Sequence, residues 1–219
     1  MWAARGGSGT HRVLDLVDWP ALEAAGPKVL VGFSDLTALH EAVAVRMGLA
    51  TLHGPVVTQL GDGDPEAAAA TRAAVLDGAG SHLRGRGVVP GVAEGTLVGG
   101  NLTVLASALG TPFSRPAAGG IAVLEDVDEQ PFRLDRVVTQ LLRSGWFDGV
   151  RGVALGQFTR CGDPELVSLL LRRRLEPLGV PLVEGLSVGH VPSNLPVALG
   201  VPARLDGSAG TLAVEPLVA

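Results

Sequence analysis

The chain has 219 residues, 47% hydrophobic, 18% charged and 4% aromatic, with a formal net charge of −5 at pH 7. Such a chain can bury a substantial core as one large or two small domains, while the acidic balance and scarce aromatics argue against a nucleic-acid surface. The single cysteine, Cys161, excludes an internal disulfide and a cysteine metal cluster, no apolar stretch is long enough for a bilayer, and the first residues lack a signal-peptide layout.

A cytoplasmic protein is therefore expected, with a small-molecule or peptide partner, no nucleic acid, no membrane and no metal. Trp2-Ala3-Ala4 reads as the end of a buried strand running into the glycine turn Arg5-Gly6-Gly7-Ser8-Gly9. Residues 28–33 are an apolar, β-branched run, and from Leu36 the apolar positions 36, 39, 43 and 47 follow a helical period. The chain must then reverse at Ser34-Asp35. A serine in that turn is held off the end of a sheet beside the first free amides of a helix, which suits a nucleophile whose attack creates an oxyanion. Leu36 stands where a GxSxG elbow has glycine, so an ordinary N-cap at Ser34 or Asp35 is the alternative. Residues 1–60 have the rhythm of a parallel α/β layer, and two or three strands from this stretch alone would leave a face and an edge uncovered.

Leu52-His53-Gly54-Pro55 ends a short strand on the side of Ser34, where His53 could line a site. Asp64-Pro65-Glu66 opens an alanine-rich helix to about Leu76. Residues 78–94 are glycine-rich with scattered polar residues, and we read them as a linker between an N-terminal lobe, 1–77, and a C-terminal lobe, 95–219. The second lobe is predicted to hold a short helix after Gly99-Gly100-Asn101, a strand at 120–125, a helix with its apolar stripe at 134, 137, 138, 141 and 142, a strand at 152–158, a helix capped by Asp163-Pro164, and short strands and turns from 180 on.

A serine nucleophile needs a base, and the base an orienting group. Of the five histidines, His40 lies in the helix after Ser34 and cannot fold back to it, and His11 and His82 have polar surroundings with no companion pattern. His190, in the constrained turn Gly189-His190-Val191-Pro192, is the most suggestive base. The strand Gly120–Leu124 ends abruptly in acids, delivering Glu125 to a sheet's carboxyl edge. The neighbouring Asp126, Asp128 and Glu129 can instead cap the next helix or pair with Arg133 and Arg136.

Arg5-Gly6-Gly7-x-Gly9, Gly32-Phe33-Ser34-Asp35-x-Thr37-Ala38-Leu39, His53-Gly54-Pro55, Glu94-Gly95-Thr96-Leu97-x-Gly99-Gly100-Asn101-Leu102, Gly110-Thr111-Pro112, Leu124-Glu125-Asp126-Val127, Leu155-Gly156-x-Phe158 and Gly189-His190 follow one another in order. Together they resemble the LD-carboxypeptidases, serine peptidase family S66, over essentially the whole chain. The resemblance implies an α/β fold: an incomplete flavodoxin-like parallel α/β N-terminal lobe with the serine, then a β-rich α/β C-terminal lobe. It implies a Ser34-Glu125-His190 triad, an oxyanion hole from the backbone amides of Gly7 and Asp35, substrate contacts at Arg5 and Asn101, and no cofactor.

The activity implied is release of terminal D-alanine from a murein tetrapeptide or muropeptide in cytoplasmic cell-wall recycling. A microcin-immunity-type peptidase and a truncated, non-catalytic member are the alternatives, and a homodimer is among the assemblies open to the chain. Two features depart from the family pattern. Ser8 replaces a usual tyrosine, and the family's stretch ahead of Arg5 is absent from this sequence, which makes an upstream start codon the expectation.

Overall fold

The computed structural model describes residues 1–217. In chain order, helix α1 (Trp19–Ala24), strand β1 (Val31–Gly32), helix α2 (Thr37–Met47), strand β2 (Thr51–His53) and helices α3 (Val57–Asp62) and α4 (Pro65–Leu76) come first. They are followed by β3 (Ser81–Arg84), β4 (Arg86–Val89), β5 (Val92–Asn101), α5 (Leu102–Ala108), β6 (Gly120–Val127), α6 (Pro131–Arg143), β7 (Gly152–Thr159) and α7 (Pro164–Leu175). Strands β8 (Leu182–Glu184), β9 (Val197–Leu199), β10 (Pro202–Asp206) and β11 (Thr211–Val214) complete the described fold.

The strands form a three-stranded sheet, β1-β2-β9, and an eight-stranded one, β3-β11-β10-β5-β6-β7-β8-β4. In the larger sheet β5, β6, β7 and β8 are parallel, with α5, α6 and α7 as the crossovers between them. Parallel neighbours need such crossovers, and each helix starts from a local signal. Asn101 Oδ1 accepts from Val104 N–H at 3.1 Å, Pro131 opens α6, and Asp163 Oδ1 accepts from Leu166 N–H at 2.9 Å. The flanking pairs, β10 with β5, β11 with β10, β3 with β11 and β4 with β8, are antiparallel.

One expectation is corrected. Residues 78–94 are not a linker: β3 and β4 lie at opposite edges of the large sheet and β5 begins at Val92. Their glycines serve close approaches of backbone within the sheet, which a composition reading takes for slack. The strands contributed by residues 1–60 are parallel, as expected, and the edge they leave is covered from elsewhere in the chain. β1 and β2 run parallel, with Trp2 bridged to Val31, and β9 adds an antiparallel third strand from the far end of the chain.

One buried cluster joins the two sheets, with Val31, Leu52 and Val197 packed alongside Leu97, Ile121 and Val123. A second fills the space between the large sheet and its helices, with Leu102, Leu105, Leu134, Val138, Leu141, Leu155 and Leu171. The apolar stripe of α6 points into it, since Leu134, Val138 and Leu141 are fully buried. The large sheet meets α2 at Gly100, where a Cβ would lie 2.7 Å from Thr37 Oγ1. With glycine there, Thr37 of α2 comes close enough for its hydroxyl to accept from Asn101 N–H at 3.0 Å. No helix among the described residues is long and apolar enough to cross a membrane.

Candidate active site

Ser34 follows β1 and opens a 3-10 turn, Ser34–Leu36, that runs into α2. Its φ is +63°, a left-handed backbone that costs a non-glycine residue about 1–3 kcal/mol and that persists where the surroundings enforce it. The enforcement comes partly from Asp35, whose Oδ2 accepts from the Thr10 amide at 2.9 Å and from the Thr10 hydroxyl at 2.7 Å. Asp35 thereby ties the glycine turn to the elbow, and Gly6 lies against Ser34: a Cβ there would be 3.9 Å from Oγ.

Glu125 arrives on β6 at a point where the register with β7 slips, Leu124 facing Leu155 and Asp126 facing Phe158. Gly156 and Gln157 thus oppose one residue, a bulge that re-aims the side chain. The Glu125 side chain is fully buried. Burial pushes its carboxyl up from the ordinary value, opposed by the hydrogen bond and charge of His190.

His190 sits in the turn between β8 and β9. Gly189, at φ +113°, turns the chain directly over Glu125, and a Cβ on it would fall 2.6 Å from Glu125 Oε2. The buried Asn194 holds this turn by accepting from Gly189 N–H at 2.8 Å. The imidazole packs on Phe33, ring centroids 4.7 Å apart, and keeps 19% of its side chain exposed.

These elements bring together three residues from three distant parts of the chain. His190 Nδ1 lies 2.7 Å from Glu125 Oε2, and His190 Nε2 lies 2.9 Å from Ser34 Oγ. A carboxylate only accepts, so Nδ1 carries the proton and Nε2 is free to accept from the serine hydroxyl. Such a chain can activate the hydroxyl for attack on an acyl carbon and return the proton to a leaving amine.

Gly7 and Asp35 line one cleft of about 360 Å³ together with Arg5, Ser8 and Leu36. Among the described residues Asp35 N–H, in the first turn after β1, donates to no backbone carbonyl outside helices and strands. Among the described residues Gly7 N–H makes no hydrogen bond. Arg5 is exposed at the cleft. Asn101 is placed differently from the expected substrate contact: it is 4% exposed, its Oδ1 caps α5 and its Nδ2 donates to Asp126 Oδ1 at 2.9 Å. The end of a strand that opens a helix turns its side chain into the structure rather than out of it.

Of the other histidines, His82 is exposed on β3 and His11 contacts Ser107. His40 is buried, with Nε2 2.9 Å from the Gly32 carbonyl. His53 is fully buried beneath Glu125. The side-chain role of Asp35, the anchoring by Asn194 and the burial of His53 escaped the sequence reading, although the strand-ending Leu52-His53-Gly54-Pro55 did mark His53 as near the site. A larger cavity, about 550 Å³, lies between β7, α7 and β8 and contains none of the three residues. Its charges are mutually paired, Arg86 with Glu184 and Arg160 with Asp128. No group of three or more His, Cys, Asp or Glu side chains among the described residues could hold a metal ion.

Comparison with known proteins gives consistent matches. A family model described as LD-carboxypeptidase N-terminal domain matches residues 1–54, and one described as LD-carboxypeptidase C-terminal domain matches residues 94–205. A putative carboxypeptidase of Streptomyces coelicolor is 50% identical over 218 residues, covering 97% of this chain and 70% of the relative. The murein tetrapeptide carboxypeptidase of Pseudomonas aeruginosa is 37% identical, covering 95% of this chain and 72% of the relative. Among solved structures, the muramoyltetrapeptide carboxypeptidase from Oxalobacter formigenes superposes with a TM-score of 0.85 at 31% identity, covering 98% of this chain and 78% of that one. The microcin C7 self-immunity protein MccF superposes at 0.83 with 22% identity, a likeness of fold alone.

Proposed function

This chain belongs to the LD-carboxypeptidases, serine peptidase family S66, and from that membership we propose that it removes the terminal D-alanine of murein tetrapeptides during cytoplasmic cell-wall recycling. The observation that carries the reading is the continuous hydrogen-bonded chain from Ser34 Oγ through His190 to Glu125.

In the proposed reaction His190 Nε2 takes the Ser34 proton as Oγ attacks the carbonyl carbon of the L,D-peptide bond. The Asp35 and Gly7 amides receive the oxyanion. His190 then protonates the departing amine of the D-amino acid, and water attacks the acyl-enzyme by the same steps in reverse. Glu125 keeps Nδ1 protonated and stabilises the imidazolium that forms. A carboxypeptidase also meets a free carboxylate on its substrate, and Arg5 at the rim of the same cleft is the cation suited to it. A base-stacking loop, which the microcin-immunity reading requires, has no support in residues 61–94, which contain no Trp, Phe or Tyr.

The test is release of D-alanine from L-Ala-D-Glu-diaminopimelate-D-Ala. Ser34→Ala is expected to lower the rate by about a thousandfold or more with the fold retained. Release unaffected by Ser34→Ala, or none from the folded chain, would sink the proposal.

A further inference from the structure

Among the described residues, four buried polar atoms at the floor of the site lack hydrogen-bond partners: Glu125 Oε1, both ring nitrogens of His53, and His40 Nδ1. His53 ends β2 with its ring fully buried, edge-on to Phe33 at 5.8 Å between centroids and 6.4 Å from the ring of His40. Its Nε2 is 4.0 Å from Glu125 Oε1, the oxygen that His190 leaves bare. His40 is not a competitor for this place, because its own N–H is committed to the Gly32 carbonyl through Nε2. Burial lowers the pKa of His53 to about 3, with the neighbouring His40 and His190 adding to the effect. The ring is therefore neutral at pH 7 and carries a single N–H.

A buried carboxylate with one bare oxygen is costly unless a donor faces it. We propose that His53 is a positioning residue: with its proton on Nε2, it directs an N–H dipole at Glu125 Oε1 and so holds the carboxylate with Oε2 on His190 Nδ1. The inference rests on the serine-hydrolase reading of Ser34, His190 and Glu125. The titratable groups facing His53 are His40 from α2, Glu125 from β6 and His190 from the turn after β8; Phe33 closes the remaining side without charge. The same geometry would accommodate a purely packing role, and the two differ in what each substitution does to the proton chemistry of the site.

Nitrogen-15 NMR of the imidazoles in the unsubstituted chain reads the tautomer without reference to activity. The Nε2–H form of His53 at pH 7 is expected, and an Nδ1–H form or a charged ring overturns the proposal. With the tetrapeptide above as substrate, His53→Leu is expected to lower kcat about tenfold or more with KM within about twofold. The acid limb of the kcat profile should move to higher pH, because without the donor the Glu125-His190 pair takes up a proton more readily. His53→Gln, whose side-chain amide can reach the same oxygen, should recover most of the loss. Equal losses in the two variants, or a folded His53→Leu enzyme with unchanged kcat and acid limb, overturns the proposal. Should Ser34→Ala leave release unchanged, the hydrolase reading fails and the tautomer alone decides the placement of His53; should the leucine variant not fold, the glutamine variant and the tautomer decide it.

Discussion

Between pH 8 and 5 two histidines, buried where they resist protonation, should together cost this protein about 4 kcal/mol of stability. Desolvation lowers His40 from 6.5 to about 4 and His53 from 6.5 to about 3. The unfolded chain therefore takes up each proton first. The stabilisation these residues provide is complete above pH 6.5 and drains as the pH falls toward 4 for His40 and 3 for His53. At pH 5 each has lost about 2 kcal/mol. Glu41 works in the opposite direction. Burial raises it from 4.5 to about 6 against the pull of Arg115, so its penalty is largest at high pH and shrinks by about 1 kcal/mol over the same interval. Glu125, whose carboxyl burial also pushes up, acts in the same direction as Glu41, so the histidine contribution is read by comparing variants. Urea unfolding at pH 8, 6.5 and 5 measures it, and His40→Gln, which has no proton to take up, should flatten the dependence by about 2 kcal/mol. A pH dependence in His40→Gln identical to that of the unsubstituted chain would refute the reasoning.

Ser34→Gly should abolish D-alanine release while raising stability by about 1 kcal/mol, since glycine accepts a φ of +63° without the cost borne by serine; paired thermal melts and rate measurements check this, and a destabilised variant counts against it. Gly189→Ala would place a methyl 2.6 Å from Glu125 Oε2 at a φ of +113°. It should cost about 2–4 kcal/mol and reduce kcat about a hundredfold or more by displacing the carboxylate from His190, and full activity in this variant would show that the turn does not set the position of Glu125.

The parts of the site written in local patterns were legible in the sequence. Ser34 lies where a β-branched run gives way to a helical period, and Glu125 where an apolar strand ends in acids; both are short-range signals of chain direction. His190 was legible through the glycine beside it, which marked a constrained turn. What the sequence concealed depends on distant pairings. Residues 78–94 look like slack because β3 and β4 acquire their meaning only from β11 and β8, over a hundred and about ninety residues away. The third strand of the small sheet, β9, is separated from β2 by most of the chain. The bulge opposite Glu125 arises from the register of two strands and has no signature in either one. Asn101 shows the converse case: a motif position suggested a contact with substrate, while its place between strand and helix gave its side chain the work of capping α5 and holding Asp126.

The turn that carries His190 begins at β8 in the large sheet and ends at β9 in the small one. A segment pinned at both ends behaves as a strut, so any motion that pries the sheets apart loads this turn together with the buried cluster that joins them. Ser34 rides on the small sheet and Glu125 on the large one, with the imidazole spanning the gap between them. The separation of the sheets and the alignment of Ser34, His190 and Glu125 are therefore a single mechanical coordinate.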